Sequence, residues 1–385
     1  MLDALERDDP YGTAAAIHGR LLEREVHVTE LAEAYGVSRK TAYKWIHRFG
    51  EQGDEGLKDR SRRPKSCPHQ TSKEVEKALV DSRRYRPSWG PRKLLPVLRK
   101  QRPEVAWPAA STAGAVLKRH GLVTGRQPRR RWAHPGRPTT SAAAPNQIWT
   151  SDFKGEFRTG DHRYCYPLTV ADSFSRYLLA VDGLASVAGE GVWPVFERLF
   201  REYGLPQVIR TDNGTPFASK AVAGLSRLSV RWIKLGIRPE RIQPGRPQQN
   251  GQHERMHRTL KAETARPPAA NQTTQQQRFD QFRRCYNEQR PHEALDFKTP
   301  SEFYTPSHRP YPSRLPQPEY PGHFDVRFVH RGGEIRWRGQ YLFVSECLGG
   351  EHIGLEEYED GVWSVYFGQM LLARLDDRER RLYGP

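Results

Sequence analysis

Three carboxylates stand in surroundings that could do chemistry: Asp152 in WTSDFK, Asp212 in IRTDNGTPF and Glu254 in PQQNGQHERMHRTL. Taken singly, an acid is most often a surface or capping residue. Gathered in one place, three would repel and raise one another's pKa unless a cation joined them. Carboxylate oxygens are hard ligands that select Mg²⁺ or Mn²⁺. Two such ions about 4 Å apart can activate an attacking oxygen and stabilise a leaving one in a displacement at phosphorus. A competing pattern overlaps the third acid. His253-Glu-Arg-Met-His257 has the H-E-x-x-H spacing of a zinc helix, in which both imidazoles bind Zn²⁺ and Glu254 is a general base. That reading leaves Asp212 and the basic balance of the chain without a role.

The elements around the acids must bring them together. Residues 148–157, 164–172 and 177–181 are rich in aromatic and β-branched residues with turn signals between them, and predict strands. A helix is expected over 189–203, a short strand over 207–211, and further helices over 220–229, 251–265 and 274–287. Three strands, a helix, a strand and a helix is the order of a mixed α/β sheet. Asp152 then falls within the first strand, Asp212 just past the fourth where Asn213-Gly214 turns the chain, and Glu254 near a helix start. On that helix Glu254, Arg258 and Lys261 share one face, while Met256 and Leu260 form another. Arg255, Arg258 and Lys261 could hold phosphates beside the acids; a solvated helix face would use the same residues.

Upstream, residues 13–49 read as helices, and 28–46 have the pattern of a helix-turn-helix. Ala32 is small enough for a close crossing, Gly36 tolerates a left-handed turn, and Ser38 can cap the second helix. Val37, Ala42, Trp45 and Ile46 can bury one face, which leaves Arg39, Lys40, Tyr43, Lys44 and His47 outward for a DNA major groove. A second helical unit follows over 71–123, with Ser111 as an expected cap and Gly121 as a stop. Residues 82–103 hold eight Lys/Arg and no acid, and 124–145 hold five Arg, including Arg129, Arg130 and Arg131, again with no acid. Basic runs flanking a helical module favour phosphate contacts. After the Pro-rich 305–321, strands are expected over 324–329, 334–337, 340–344, 352–358 and 362–367, with hairpin turns at Gly332-Gly333 and Asp360-Gly361. They predict a separate small all-β barrel.

Composition fits a polyanionic partner. The 385 residues carry 62 Lys+Arg against 45 Asp+Glu, a formal charge of +17. Nothing approaches the ~20 apolar residues of a membrane span, and the start, MLDALERDDPYG, has no signal-peptide core. Cys67, Cys165, Cys285 and Cys347 are scattered, which argues against a disulfide framework or a Cys-based zinc site and fits a reducing cytoplasm.

Together WTSDFK, RTDNGTPF, the PQQNGQHERMHRTLK helix and YNEQRPHEALDFKTPS from Tyr286 resemble the catalytic core of the retroviral-integrase superfamily, above all bacterial insertion-sequence transposases of the DDE type. The resemblance covers residues 12–305 and extends into the C-terminal strands. It implies helix-turn-helix DNA-binding domains at 1–57 and 69–123 (the latter winged-helix-like), an Arg-rich linker at 124–145, a ribonuclease-H-like α/β core at 146–305 and the β-barrel at 321–376. It further implies that Asp152, Asp212 and Glu254 bind two Mg²⁺ ions, with Mn²⁺ as a substitute. Such a protein would bind double-stranded DNA at terminal inverted repeats and at the target, self-associate as a dimer or larger assembly on DNA, and work in a bacterial cytoplasm at the nucleoid. One departure concerns the third acid: 41 residues separate Asp212 from Glu254, more than is usual in the superfamily, and Glu240 lies in that interval.

Overall fold

The computed structural model describes residues 27–58, 70–123, 140–219, 222–242, 251–379 and 381–384. The chain divides into two compact units, Met1–Ser72 and Lys73–Pro385. Arg129, Arg130 and Arg131 lie outside the described residues.

In the first unit, α1 (Val28–Ala34) and α2 (Arg39–Gln52) are joined through Gly36 at φ +64 and followed by a 3-10 turn, Gly53–Leu57. Ser38 caps α2, its Oγ accepting from the Thr41 amide at 3.2 Å. Leu31, Ala32, Ala42, Trp45 and Leu57 are buried, with Val37 and Ile46 half-buried beside them. Arg39, Lys40, Tyr43, Lys44 and His47 all stand exposed on the opposite face, as the amphipathic pattern requires.

The second unit opens with three helices, α3 (Lys73–Tyr85), α4 (Pro91–Gln101) and α5 (Ala110–Arg119), around Leu79, Trp89, Leu94, Leu98, Ala113 and Leu117. No strand accompanies them among the described residues. Ser111 does not cap α5: the helix starts one residue earlier, behind Ala109, which offers no side-chain bond. Gly121 does end it, at φ +67, where the Leu122 amide reaches back to the Leu117 carbonyl at 2.9 Å.

A mixed sheet follows, made of β1 (Ile148–Phe153), β2 (Phe157–Arg158), β3 (Tyr164–Asp172), β4 (Leu178–Leu184), β5 (Val208–Thr211) and β6 (Arg238–Arg241). The order is β2-β3-β1-β5-β6 with β4 on β3; β1 runs parallel to β5 and β5 to β6, while β3 is antiparallel to β1 and β4. The expected strand 148–157 breaks after Phe153, and Gly155 turns at φ +82. α6 (Gly189–Tyr203) and α7 (Arg227–Lys234) cover one face through Phe196, Phe200 and Trp232 packed on Trp149 and Leu168. α8 (Gly251–Thr264) and α9 (Gln272–Glu288) join Cys165, Leu178 and Val181 in a second cluster, into which Met256, Leu260 and Phe279 are buried. The sequence did not foretell β6. Its RPER tetrapeptide looks like a loop, and Pro239 is tolerated because the strand is an edge. The helix expected over 220–229 begins later, at Arg227, set by a Ser226/Ser229 capping box.

The C-terminal segment is mostly strand. β10 (His352–Glu359), β11 (Val362–Phe367), β12 (Met370–Asp376) and β13 (Arg381–Tyr383) form an antiparallel meander with β7 (Asp325–Phe328) on its far edge, and β8 (Glu334–Trp337) pairs with β9 (Gln340–Phe343) as a separate two-stranded sheet. Among the described residues the two edge strands, β7 and β13, do not pair, so the pairing does not close into the expected barrel. The chain does turn at Gly332-Gly333, the Gly333 amide donating to the His330 carbonyl at 2.8 Å and the His330 amide to the Glu334 carbonyl at 2.7 Å, though β7 and β8 form no ladder among the described residues. Asp360-Gly361 turns β10 into β11, and a further hairpin joins β8 to β9. Trp337 pairs with Gln340, and the two residues between, Arg338 and Gly339, have φ +44 and +82, a type I′ turn. This sheet shares its core with the preceding domain: Leu225 and Val230 pack among Ile335, Leu355, Phe367 and Leu372.

Candidate active site

Asp152 lies on β1, opposite Thr169 of β3, and its neighbour Ser151 aligns with Thr211, the last residue of β5. Asp212 follows at once. Adjacent parallel strands therefore deliver both acids to the same edge of the sheet. The turn after β5 is pinned by Asn213, whose Nδ2 donates to the Ile242 carbonyl at 2.9 Å, and the Gly214 amide donates to Asp212 Oδ1 at 3.2 Å. A Cβ on Gly214 would come within 3.0 Å of Asp212 Oδ2, so glycine lets the carboxylate fold over its own turn. Glu254 is exposed in the first turn of α8.

The electrostatics link the three. Asp152 is pushed up to about 7, first by burial, then by the charge of Asp212, with Glu254 adding to it. The carboxylates feel one another without closing up: among the described residues no three His, Cys, Asp or Glu side chains form a group tight enough to hold a metal.

The H-E-x-x-H histidines are already occupied. His253 Nε2 and His257 Nε2 both contact the Thr169 hydroxyl, at 2.8 and 2.7 Å, and that hydroxyl also donates to the Asp152 carbonyl at 3.0 Å. His253 Nδ1 meets Thr150 Oγ1 at 2.9 Å, and His257 Nδ1 lies 3.8 Å from Asp152 Oδ2. One hydroxyl has one proton, and with it given to the Asp152 carbonyl both imidazoles must donate their Nε2–H to the hydroxyl oxygen. Both rings are buried and fastened to the sheet rather than open to an ion. Thr169 carried no signal in the sequence.

Glu240 is engaged too. On β6 it accepts from Arg210 Nε at 2.7 Å and from Thr140 Oγ1 at 2.6 Å, with Arg210 itself buried. Arg255, Arg258 and Lys261 are exposed along α8. The YNEQRPH passage is a clamp: Asn287 exchanges hydrogen bonds with the Leu178 amide and carbonyl at 2.8 and 2.9 Å, and Arg290 donates to Glu263 at 3.0 Å.

Comparison with known families supplies the frame. Two models of the integrase core domain match residues 142–247 and 235–300, and the C-terminal domain of IS481 family transposases matches 324–382. Residues 142–300 thus resemble integrase core domains, and residues 324–382 the C-terminal domain of IS481 family transposases. A helix-turn-helix domain model matches residues 4–65 and a homeodomain-like model 41–117. The uncharacterized 31.7 kDa protein of insertion element IS407 from Burkholderia multivorans is 30% identical over 188 residues, 48% of this chain and 61% of that protein. The Gag-Pol polyprotein of baboon endogenous virus is 35% identical over 127 residues, 33% of this chain and 7% of its own length. The chain thus spans under two thirds of either relative. Among solved structures, the HTLV-2 integrase catalytic core in complex with magnesium aligns at TM-score 0.34 and 17% identity, covering 42% of this chain and 99% of that one. A simian T-cell lymphotropic virus intasome chain aligns at 0.38 and 17%, covering 72% and 92%. No helix among the described residues is long and apolar enough to cross a membrane.

Proposed function

We propose that the chain frees a 3′-hydroxyl at the ends of a mobile element and joins it to target DNA. The observation that carries this reading is the delivery of Asp152 and Asp212 to one sheet edge by adjacent parallel strands, with Glu254 coupled to them through charge. The donor set suits a divalent cation: three carboxylates, one already driven toward its neutral form by burial and then by the charge of the others, are relieved when positive charge enters. Asp152, Asp212 and Glu254 would hold Mg²⁺ (two ions, with Mn²⁺ as a substitute), which when bound supplies activation of the attacking oxygen and neutralisation of the leaving one. Glu254 is favoured over Glu240 as third ligand because Arg210 and Thr140 occupy the latter. Being exposed in a first helical turn, Glu254 can swing toward the pair to complete the set.

Water attacks the phosphodiester at the element end, and the 3′-oxygen leaves as the hydroxyl. That hydroxyl attacks a target phosphodiester, forms the new ester and displaces the target's own 3′-oxygen. Each step exchanges one P–O bond for another, so no protein–DNA covalent bond is needed. Arg39, Lys40, Tyr43, Lys44 and His47 would read the terminal repeats, helped by Arg129, Arg130 and Arg131; Arg255, Arg258 and Lys261 would hold backbone phosphates near the acids. Two ends handled together call for a dimer or larger assembly on DNA.

The test is strand transfer on oligonucleotides carrying the sequences that flank the gene, in Mg²⁺. Asp152→Asn and Asp212→Asn are each expected to lower transfer by about 100-fold or more. Undiminished transfer by either would overturn the mechanism.

A further inference from the structure

The three acids come from elements of different kinds, Asp152 and Asp212 from neighbouring strands and Glu254 from a helix laid against the sheet. Backbone pairing of β1 with β5 fixes the first two relative to each other. The burial of Met256 and Leu260 draws α8 onto the sheet, but hydrophobic contact is non-directional and does not fix how far a helix is slid or rolled. Directional contacts must do that.

The start of α8 carries them. His253 directly precedes Glu254, and His257 lies one turn further along the same buried side, the two rings edge to face at 4.9 Å. Both Nε2 atoms meet the Thr169 hydroxyl, at 2.8 and 2.7 Å, and that hydroxyl donates to the carbonyl of Asp152 itself at 3.0 Å. His253 Nδ1 meets Thr150 Oγ1 at 2.9 Å, also on β1, and His257 Nδ1 stands 3.8 Å from Asp152 Oδ2. One hydroxyl therefore ties the backbone of the first acid to the helix turn that bears the third. Thr169, His253 and His257 are 0, 2 and 4% exposed, so water does not compete for these bonds, and they weaken steeply away from their geometry.

The far end of α8 is held separately, at the α4 junction. Glu263 accepts from Ser88, just ahead of α4, at 2.6 Å and from Arg290 at 3.0 Å, while Arg92 of α4 pairs with Glu293 at 3.0 Å. Loosening the Thr169 knot thus frees the start of the helix and not the helix as a whole.

We infer, on the proposed reading of the three acids as a cation site, that Thr169, His253 and His257 position Glu254 against Asp152 and so set the spacing at which the cation is held. In this role none of the three is a ligand. The H-E-x-x-H spacing serves to bring two histidines, one helical turn apart, onto a single strand hydroxyl.

The experiment titrates Mn²⁺ into the full chain and follows the free ion by electron paramagnetic resonance, with circular dichroism showing that each variant is folded. Asp152→Asn is expected to abolish binding, and Thr169→Val to weaken it by about 10-fold or more. Thr169→Ser, which keeps the hydroxyl, should bind as the wild type does. Glu351→Ala, which breaks the bond between α7 and the C-terminal strands, should also keep wild-type affinity, because loss of stability alone does not move the acids. If Thr169→Val does not fold, His257→Leu, which keeps much of the ring's bulk and drops both nitrogens, carries the same expectation. Wild-type affinity in the folded variant, or an equal loss in Glu351→Ala, would overturn the positioning role alone. Undiminished Mn²⁺ binding by Asp152→Asn is a different result: it would sink the cation site and the positioning role with it.

Discussion

Thr169 decides what the α8 histidines are for. A zinc helix needs imidazole nitrogens open to the ion, and here they are spent on Thr169 and Thr150. Burial holds both rings neutral, His253 pushed down to about 4 and His257 to about 2, the latter also by His253 and Lys154; His292 is pushed to about 3 by burial, Lys93 and Arg290. These folded values lie below the unfolded one near 6.5. Their contribution to stability is therefore complete above about pH 6.5 and is lost as pH falls toward the folded values, at about 1.4 kcal/mol per pH unit for each group. Urea midpoints should drop steeply through this window, and His292→Gln should make the drop shallower by one proton's worth. Asp152 has the opposite sign. Its raised folded value means that its contribution is present below the unfolded value near 4 and disappears as pH rises through about 7. Asp152→Asn should thus stabilise the metal-free chain in mildly alkaline buffer and not in acid; thermal scans at the two extremes, without added metal, would show it.

At the scale of elements, α8 is tied to the sheet through the Thr169 hydroxyl, which meets both of its histidines, and through Thr150, which meets His253. Thr169→Val keeps the shape and leaves two buried imidazoles without that partner, which should cost roughly 2–4 kcal/mol. Thr169→Ser should restore most of it. Hydrogen exchange across α8 reads the effect locally, and unchanged protection in Thr169→Val would show that the Met256 and Leu260 packing alone anchors the helix. Much of this region was legible beforehand. The aromatic and β-branched content of β1 and β3, the Met256 and Leu260 face of α8 and the TDNG turn are local signals, so Asp152 and Asp212 could be located and Glu254 set on a helix start. The Thr169 knot was not legible, because it joins residues 84 and 88 positions apart and a strand threonine is ordinary in itself. β6 was missed because a four-residue edge strand with a proline and three charges has no alternation to read. The α4 junction was missed for a similar reason: a basic run states its charge and not what it docks against.

Across the second unit, the C-terminal strands look in sequence like an appended module, with a proline-rich stretch before them. The packing is otherwise. Leu225 and Val230 are buried under this sheet, and Lys234 Nζ bonds both oxygens of Glu351, at 2.8 and 3.0 Å, with only 7% of the lysine side chain exposed. A bridge this buried repays little net energy as a pair, yet losing one partner strands the other charge. Glu351→Ala should therefore destabilise the chain by about 3–5 kcal/mol, while the double change Lys234→Met with Glu351→Leu should cost far less. If the sheet and the core unfold as one, urea curves for Glu351→Ala will stay single and shift as a whole, whether followed by tryptophans of the core such as Trp149 and Trp232 or by Trp337 and Trp363 of the sheet. Each set can be isolated by replacing the other with phenylalanine. Two separated transitions, with only the sheet's tryptophans responding to Glu351→Ala, would instead make the C-terminal strands a domain that folds by itself, with Leu225 and Val230 as a mere docking patch.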